Sequence, residues 1–133
     1  MRAIADLVAP MPSAEERWAA RVGDFLRLVQ EGSPGGSTIL VASRGDEELL
    51  KFDGRTGWHF PRTESGEPVG FHPADSAEAI AHVQELGSLG ATHVAFPSTE
   101  LWWLDHYREL TDHLQSAGRR AASSDAGVVY SLR

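Results

Sequence analysis

The chain of 133 residues contains no cysteine. This absence excludes a disulfide framework and thiolate chemistry, and it leaves no sign of an oxidising compartment. Lysine is also scarce, since Lys51 is the one lysine among 12 basic residues, and the formal net charge is -7. Because proteins bind phosphate backbones through clustered Lys and Arg, this balance argues against a nucleic-acid partner.

Long apolar runs are missing as well. The first residues, "MRAIADLVAPMPSAEERW", hold an apolar run too short to cross a bilayer and no convincing cleavage pattern. We therefore expect a cytoplasmic protein with no membrane partner. A chain of this length can bury roughly two-thirds of its unfolded surface, so its folding requires no metal or disulfide. We expect no cofactor.

The chain begins with a helix signal. Ser13 and Glu16 have the spacing of a capping box, and apolar residues follow at helical intervals. The stretch "EGSPGGS" at 31–37 then ends the pattern, because Gly and Pro do not continue a helix. These signals predict a helix over about 13–31 with one apolar stripe, formed by Trp18, Val22, Phe25, Leu26 and Val29.

Strand and helix patterns then alternate. "TILVAS" and "THVAFP" are apolar, β-rich runs that predict buried strands, and weaker strands are expected at 48–52 and 57–60. Asp75 and Glu78 form a second capping box before a middle helix. A third helix is expected to start near 98 or 99 and to pack through Trp103, Tyr107, Leu110 and Leu114.

This alternation predicts an α/β fold. We expect residues 1–133 to form a single three-layer domain of the Rossmann-like or flavodoxin-like type, with its sheet and helices within 38–133. The sheet should be mostly parallel and end in a C-terminal β-hairpin turning at 125–127. In such sheets ligands collect at the carboxyl ends of parallel strands, which points to "SRGDEE", "GFHPADS" and "PSTELWW".

Four stretches together resemble a known domain: "LVASRGDEELL", "GRTGWHFP", "HPADSAEAIAHVQEL" and "GATHVAFPSTELWWLDHY". They are similar to an uncharacterised actinobacterial α/β domain that often stands beside glycosyltransferase modules, and the resemblance covers about residues 38–133. It implies a glycan-related context and a glycosyltransferase module as a partner. It assigns no catalytic residue.

The stretch after the first strand offers Ser43, Arg44 and Asp46. Arginine presents a planar fork of donors that suits a phosphate or a sugar carboxylate. The alternative is an exposed turn in which Asp46 caps the next element. No G-x-G-x-x-G follows this strand, so a dinucleotide site is not indicated.

Two histidines, His59 and His72, are flanked by aromatic residues in an expected loop mouth. A neutral imidazole donates one hydrogen bond and accepts another, which suits a polyhydroxylated ligand. Strand alternation predicts that Trp58 and Phe60 point inward and that His59 points outward, facing His72 across a mouth. The alternative is that these aromatic residues are core and His72 only caps the loop.

The stretch after the later strand offers Ser98, Thr99 and Trp102. Neighbouring residues on a helix cannot both face the core, so a packed Trp103 predicts an exposed Trp102. An exposed tryptophan near free helix N–H groups suits a ligand or a partner. The alternative is a second packing layer against the first helix.

No metal site or catalytic set is indicated. His106 and His113 are about 10 Å apart along a helix, too far to share one ion. "FPSTE" lacks the G-x-S-x-G elbow, and no carboxylate is paired with a particular histidine.

Three functions remain open. The first is a non-catalytic recognition or accessory domain that binds a sugar, sugar phosphate or nucleotide-sugar in glycan or secondary-metabolite assembly. The second is a small enzyme with His59 or His72 as general base, oriented by a carboxylate. The third is a protein-interaction module, such as a homodimer, that uses the last helix or the C-terminal edge strand.

Overall fold

The computed structural model describes residues 11–133, and the expectations for residues 1–10 lie outside this range. In chain order the helices are α1 (Ala14–Glu31), α2 (Ser76–Ser88), α3 (Trp102–His106) and α4 (Arg108–Ala117). The strands are β1 (Thr38–Val41), β2 (Thr56–His59), β3 (His93–Pro97), β4 (Arg119–Ser124) and β5 (Gly127–Ser131). Two short 3₁₀ helices, Glu47–Leu50 and Ser98–Glu100, follow β1 and β3.

The five strands form one open sheet in the order β2-β1-β3-β5-β4. β1 is parallel to both β2 and β3, whereas β5 is antiparallel to β3 and β4. The predicted α/β class is therefore confirmed, and the sheet is mixed, with its parallel strands at one end. Within residues 11–133, no helix combines the length and the apolar character needed to cross a membrane.

Successive side chains of β1 point to opposite faces of the sheet and belong to two hydrophobic clusters. Leu40 packs with residues of α2, α3 and α4, while Ile39 and Val41 pack with α1 and the first 3₁₀ helix. All three side chains are completely buried. Both faces of the sheet at β1 are thus covered, which explains why "TILV" is apolar throughout.

The first helix begins and ends close to the prediction. The Ser13 hydroxyl accepts a hydrogen bond from the Glu16 amide at 3.0 Å, and the Glu16 carboxylate accepts one from the Ser13 amide at 3.4 Å. At α2, the Asp75 carboxylate accepts from the Glu78 amide at 2.9 Å. The reciprocal bond of Glu78 goes to the amide of Ala74 instead of Asp75.

The strand expected at 48–52 is wrong, since a 3₁₀ helix occupies Glu47–Leu50. Asp46 caps this helix by accepting from the Glu48 amide at 3.0 Å. Leu49 and Phe52, three residues apart, are both buried in the cluster beneath α1. Their spacing fits a helical turn better than the two-residue period of a strand.

The prediction of a single helix from about 98 is also wrong, because the helical backbone is interrupted at Tyr107 (φ -104°, ψ 71°), between α3 and α4. The Thr111 hydroxyl donates to the Leu104 carbonyl at 2.6 Å, which satisfies an acceptor near the break. The predicted apolar stripe nevertheless holds, since Trp103, Tyr107, Leu110 and Leu114 are all buried.

Candidate functional site

A cavity of about 330 Å³ opens at the carboxyl ends of the parallel strands. Its walls come from the residues after β1 and β3, from Phe60 at the end of β2, and from the loop at 61–72. β1 lies between β2 and β3, so the chain leaves β1 toward one neighbour and returns on its other side. Open α/β sheets bind ligands at this kind of switch point. Its lining residues include Ser43, Arg44, Phe60, His72, Glu100 and Trp103.

Ser43 and His59 form a buried pair. The Ser43 Oγ lies 2.5 Å from His59 Nδ1, and it also accepts a hydrogen bond from the Gly45 amide at 3.2 Å. This bond joins the chain after β1 to the last residue of β2.

The outward position predicted for His59 is wrong, because this residue is only 6% exposed. The predicted alternation itself holds, since Trp58 and Phe60 pack against the cluster beneath α2 to α4. His59 pairs with Val41, whose side chain belongs to the opposite cluster. That second face is covered as well, so pointing away from Phe60 does not mean pointing into water.

A tight turn places Arg44 over the cavity. The Asp46 amide donates to the Ser43 carbonyl at 2.9 Å, and both central residues have positive φ, 52° at Arg44 and 83° at Gly45. These features match a type I′ turn, which glycine and asparagine favour and arginine does not. The Arg44 side chain is 72% exposed, and its Nη1 lies 3.8 Å from Glu100 Oε2.

Asp46, the third residue predicted from this stretch, serves the fold. Besides capping the 3₁₀ helix, it accepts a hydrogen bond from Trp18 Nε1 at 3.2 Å, which fastens the turn to α1. The capping alternative described for Asp46 thus corresponds to the contacts observed.

Glu100 is a candidate binding residue that the sequence pattern did not indicate. Its side chain is 1% exposed, and neither carboxyl oxygen has a hydrogen-bond partner among residues 11–133. The indole N–H of Trp103 is also buried without a partner in this part of the chain. Most buried polar groups in proteins are hydrogen-bonded, and leaving one unpaired costs about 1–3 kcal/mol. The one available signal was an acidic residue directly after a buried strand, within "PSTELWW".

A cluster of three aromatic side chains, His72, Trp102 and Trp103, forms the rim of the cavity beside Glu100. The exposed His72 ring meets the edges of Trp102 and Trp103, with centroid distances of 4.9 and 5.7 Å. Trp103 is 1% exposed and Trp102 is 40% exposed, which confirms the predicted division between them. The Tyr107 hydroxyl donates to the Pro73 carbonyl at 2.6 Å and so holds the end of the loop near His72.

Ser98 and Thr99 lie apart from this cavity. Both line a separate polar depression with Arg21, Asp24 and Asp125. Thr99 also borders a second depression beside Trp18 that shares Ser43, Arg44 and Glu100 with the cavity. The structure therefore brings Ser43, Arg44 and His72 to one cavity and places Trp102 at its rim. His59 is buried behind Ser43, and Ser98 lies outside.

His82 is a histidine that meets a carboxylate near the cavity loop. Its Nδ1 lies 3.7 Å from Glu85 Oε2, and its Nε2 accepts a hydrogen bond from the Arg62 amide at 3.1 Å. The second bond commits the lone pair that a general base would use. His82 therefore anchors the loop. Over residues 11–133, no cluster of three or more His, Asp or Glu side chains is arranged to hold a metal.

The shifted pKa values belong to groups with structural contacts. Burial raises the pKa of Tyr107, with smaller contributions from Glu78 and Asp75. Backbone and Ser76 hydrogen bonds lower the pKa of Glu109. Burial, and then Arg119, lowers the pKa of His93.

Comparison with protein-family models, curated proteins and solved structures finds no match for this chain. A functional assignment therefore depends on the chemistry of the cavity at the carboxyl ends of the strands.

Proposed function

We propose that this protein is a recognition or accessory domain that binds a sugar, sugar phosphate or nucleotide-sugar in the cavity beside Glu100. The proposal includes a three-layer, Rossmann-like or flavodoxin-like architecture with a C-terminal β-hairpin. Its support is the packing of α1 on one face of the sheet and of α2 to α4 on the other. The antiparallel pairing of β4 with β5 is further support.

The observation that carries the proposal is the buried carboxyl group of Glu100. A structural glutamate at this depth is expected to have hydrogen bonds that offset the loss of hydration. Glu100 has none among residues 11–133, although it lines a cavity large enough for a small ligand. Ligand hydroxyl groups that donate to its two oxygens would supply those bonds.

The remaining walls suit a sugar. Phe60 and Trp103 line the cavity with aromatic rings, against which the apolar C–H face of a pyranose packs well. Arg44 at the opening provides an exposed guanidinium group. Its fork of donors suits the phosphate of a sugar phosphate or a nucleotide-sugar.

The biological context of the proposal is glycan or secondary-metabolite assembly in an actinobacterium, with a glycosyltransferase module or a second copy of the chain as partner. Its support is the sequence resemblance to domains found beside such modules. Exposed large apolar side chains in residues 11–133 include Phe71 and Trp102, which border the cavity or its rim. The helix α4 and the edge strand β4 contribute none to that set.

A small enzyme is the less favoured alternative. It requires a histidine general base held by a carboxylate, and within residues 11–133 the side-chain hydrogen bond of His59 goes to Ser43. His72 contacts the two tryptophan rings. Neither contact provides the orienting acid that this chemistry needs.

A thermal-shift screen tests the proposed function. Ligands that bind only the folded state stabilise it, by about 2.7 kcal/mol at a concentration 100 times Kd. We expect at least one neutral sugar, sugar phosphate or nucleotide-sugar to raise the Tm of the wild type. The same ligand should have little effect on Glu100→Gln and its full effect on Glu64→Gln, a control at an exposed position. A ligand that stabilises wild type and Glu100→Gln equally would place binding elsewhere.

A further inference from the structure

We infer that the part of the ligand that enters the cavity is an uncharged, hydroxylated ring, and that any phosphate on the ligand stays outside it. This inference rests on the proposed function and specifies the chemistry of the ligand. It arises from two residues that line the same cavity, Glu100 and Trp103. The carboxyl group of the first and the indole N–H of the second are buried without a hydrogen-bond partner among residues 11–133.

The two groups have opposite requirements. A glutamate carboxylate only accepts hydrogen bonds, whereas an indole nitrogen only donates one. The ligand must therefore present donors to Glu100 and an acceptor to Trp103. A hydroxyl group does both, so a ring with neighbouring hydroxyls can donate through one oxygen and accept through another.

A charged ligand group meets only one of these two hydrogen-bonding requirements. A phosphate offers acceptors, which suit Trp103, but its negative charge is repelled by the Glu100 carboxylate at short range in a poorly hydrated site. An ammonium group offers donors, which suit Glu100, but it leaves the Trp103 N–H unpaired. Neutral hydroxyl groups are the chemistry that meets both requirements.

Arg44 determines where an anionic group can lie. Its side chain is exposed, and its contact with Glu100 at 3.8 Å is longer than a hydrogen bond. The guanidinium group can therefore turn away only as a ring enters and its hydroxyl groups donate to the buried Glu100 carboxylate in its place. From that position it can pair with a phosphate at the opening, which orients a sugar phosphate with its ring inward.

The test is calorimetric titration of the full chain with three matched sets of probes. These are glucose, galactose and mannose, their 2-amino counterparts, and their 6-phosphates. Five variants accompany the wild type: Glu100→Gln and Trp103→Phe in the cavity, Arg44→Gln at its opening, and Glu64→Gln and Trp58→Phe as controls whose side chains do not line it. Circular dichroism establishes that each variant is folded, and Glu100→Gln decides the result if Trp103→Phe does not fold.

At least one neutral hexose should bind the wild type. Its affinity should fall about tenfold or more in both cavity variants and stay within about twofold in both controls. The 6-phosphate of that hexose should show the same dependence on Glu100. Its advantage over the neutral hexose should disappear in Arg44→Gln.

Two results would overturn the inference and leave the proposed function standing. One is an amino sugar that binds about tenfold more tightly than its neutral parent, loses affinity in Glu100→Gln and is unaffected by Trp103→Phe. The other is a phosphate whose affinity depends on Arg44 and is indifferent to Glu100. Failure of all the probes to bind at about 10 mM, where even millimolar affinity is detected, together with no stabilising ligand in the thermal-shift screen, would instead overturn the proposed function.

Discussion

Ser43 and His59 illustrate, at the scale of single residues, how a polar pair can hold two strand ends together. Their hydrogen bond is buried, so replacing His59 leaves the Ser43 hydroxyl without its 2.5 Å partner and opens a space beneath α1. We expect His59→Ala to lower the free energy of unfolding by about 2 kcal/mol or more. Urea denaturation of the variant and the wild type measures this difference.

His72→Ala is the matched comparison, because His72 is exposed and its main contacts are the edges of two tryptophan rings. This substitution should cost no more than about 0.5 kcal/mol. Equal losses from the two substitutions would contradict the structural role given to the pair of Ser43 and His59.

His93 makes the stability depend on pH. Burial, with Arg119 as the second cause, lowers its pKa below the value of 6.5 that applies when it is unfolded. The folded state then binds fewer protons than the unfolded state, so this contribution is complete above pH 6.5 and is lost as the pH falls below it. The free energy of unfolding should decrease between pH 7 and pH 5, and the decrease should be smaller in His93→Gln. An unchanged pH dependence in this variant would contradict the assignment.

Single residues were predictable from the sequence where one neighbour decides their position. The division between an exposed Trp102 and a buried Trp103 follows from helix geometry alone, and the structure confirms it. The exposure of His59 was not predictable in this way. It depends on whether α1 and the first 3₁₀ helix cover the second face of the sheet, which alternation within one strand does not reveal.

Gly127 shows, at the scale of elements, how closely β5 approaches β3. Its φ is +152°, and a Cβ added there would collide with the carbonyl oxygen of Phe96. We expect Gly127→Ala to cost about 2 kcal/mol or more, because both the backbone conformation and the space oppose a side chain. Thermal or urea unfolding measures the cost.

Gly35→Ala provides the control, since a Cβ at Gly35 would meet nothing within 4 Å. Its stability should stay within about 1 kcal/mol of the wild type. A tolerated alanine at Gly127 would mean that β5 does not pair with β3 in the register described here.

The N-terminus of α2 depends on its cap. The Asp75 carboxylate accepts the Glu78 amide, so Asp75→Ala should lower the free energy of unfolding by about 1 kcal/mol. Asp75→Asn retains an accepting oxygen and should lose less. If the two substitutions were equally harmful in urea denaturation, the cap would not be the stabilising contact.

The starts of α1 and α2 were the most predictable features, because Ser13 and Asp75 carry their capping signals within a few residues. The segment at 48–52 was misread as a strand because its apolar residues are too few to show a period. The break at Tyr107 was also hidden. It is accompanied by hydrogen bonds that Tyr107 and Thr111 make beyond the immediate sequence, to Pro73 and Leu104.

The cavity is a property of the whole molecule. The sequence pointed to the carboxyl ends of the strands, and Ser43, Arg44 and His72 line the cavity found there, while His59 only contacts Ser43. Glu100 could not be recognised beforehand, because its burial and its lack of hydrogen bonds among residues 11–133 are properties of the folded chain. Ser98 was grouped with these residues by sequence position, yet its side chain faces a different depression.

If Glu100 serves a ligand, its carboxyl group should contribute nothing to the stability of the fold. The decisive measurement is the unfolding free energy of Glu100→Gln, compared in urea with the wild type and with Glu64→Gln. A neutral amide is cheaper to bury than a carboxylate without hydrogen bonds, so the variant should be as stable as the wild type or more stable by about 1 kcal/mol. A loss of about 2 kcal/mol or more, with Glu64→Gln unchanged, would show that Glu100 stabilises the fold and would contradict its proposed role in ligand binding.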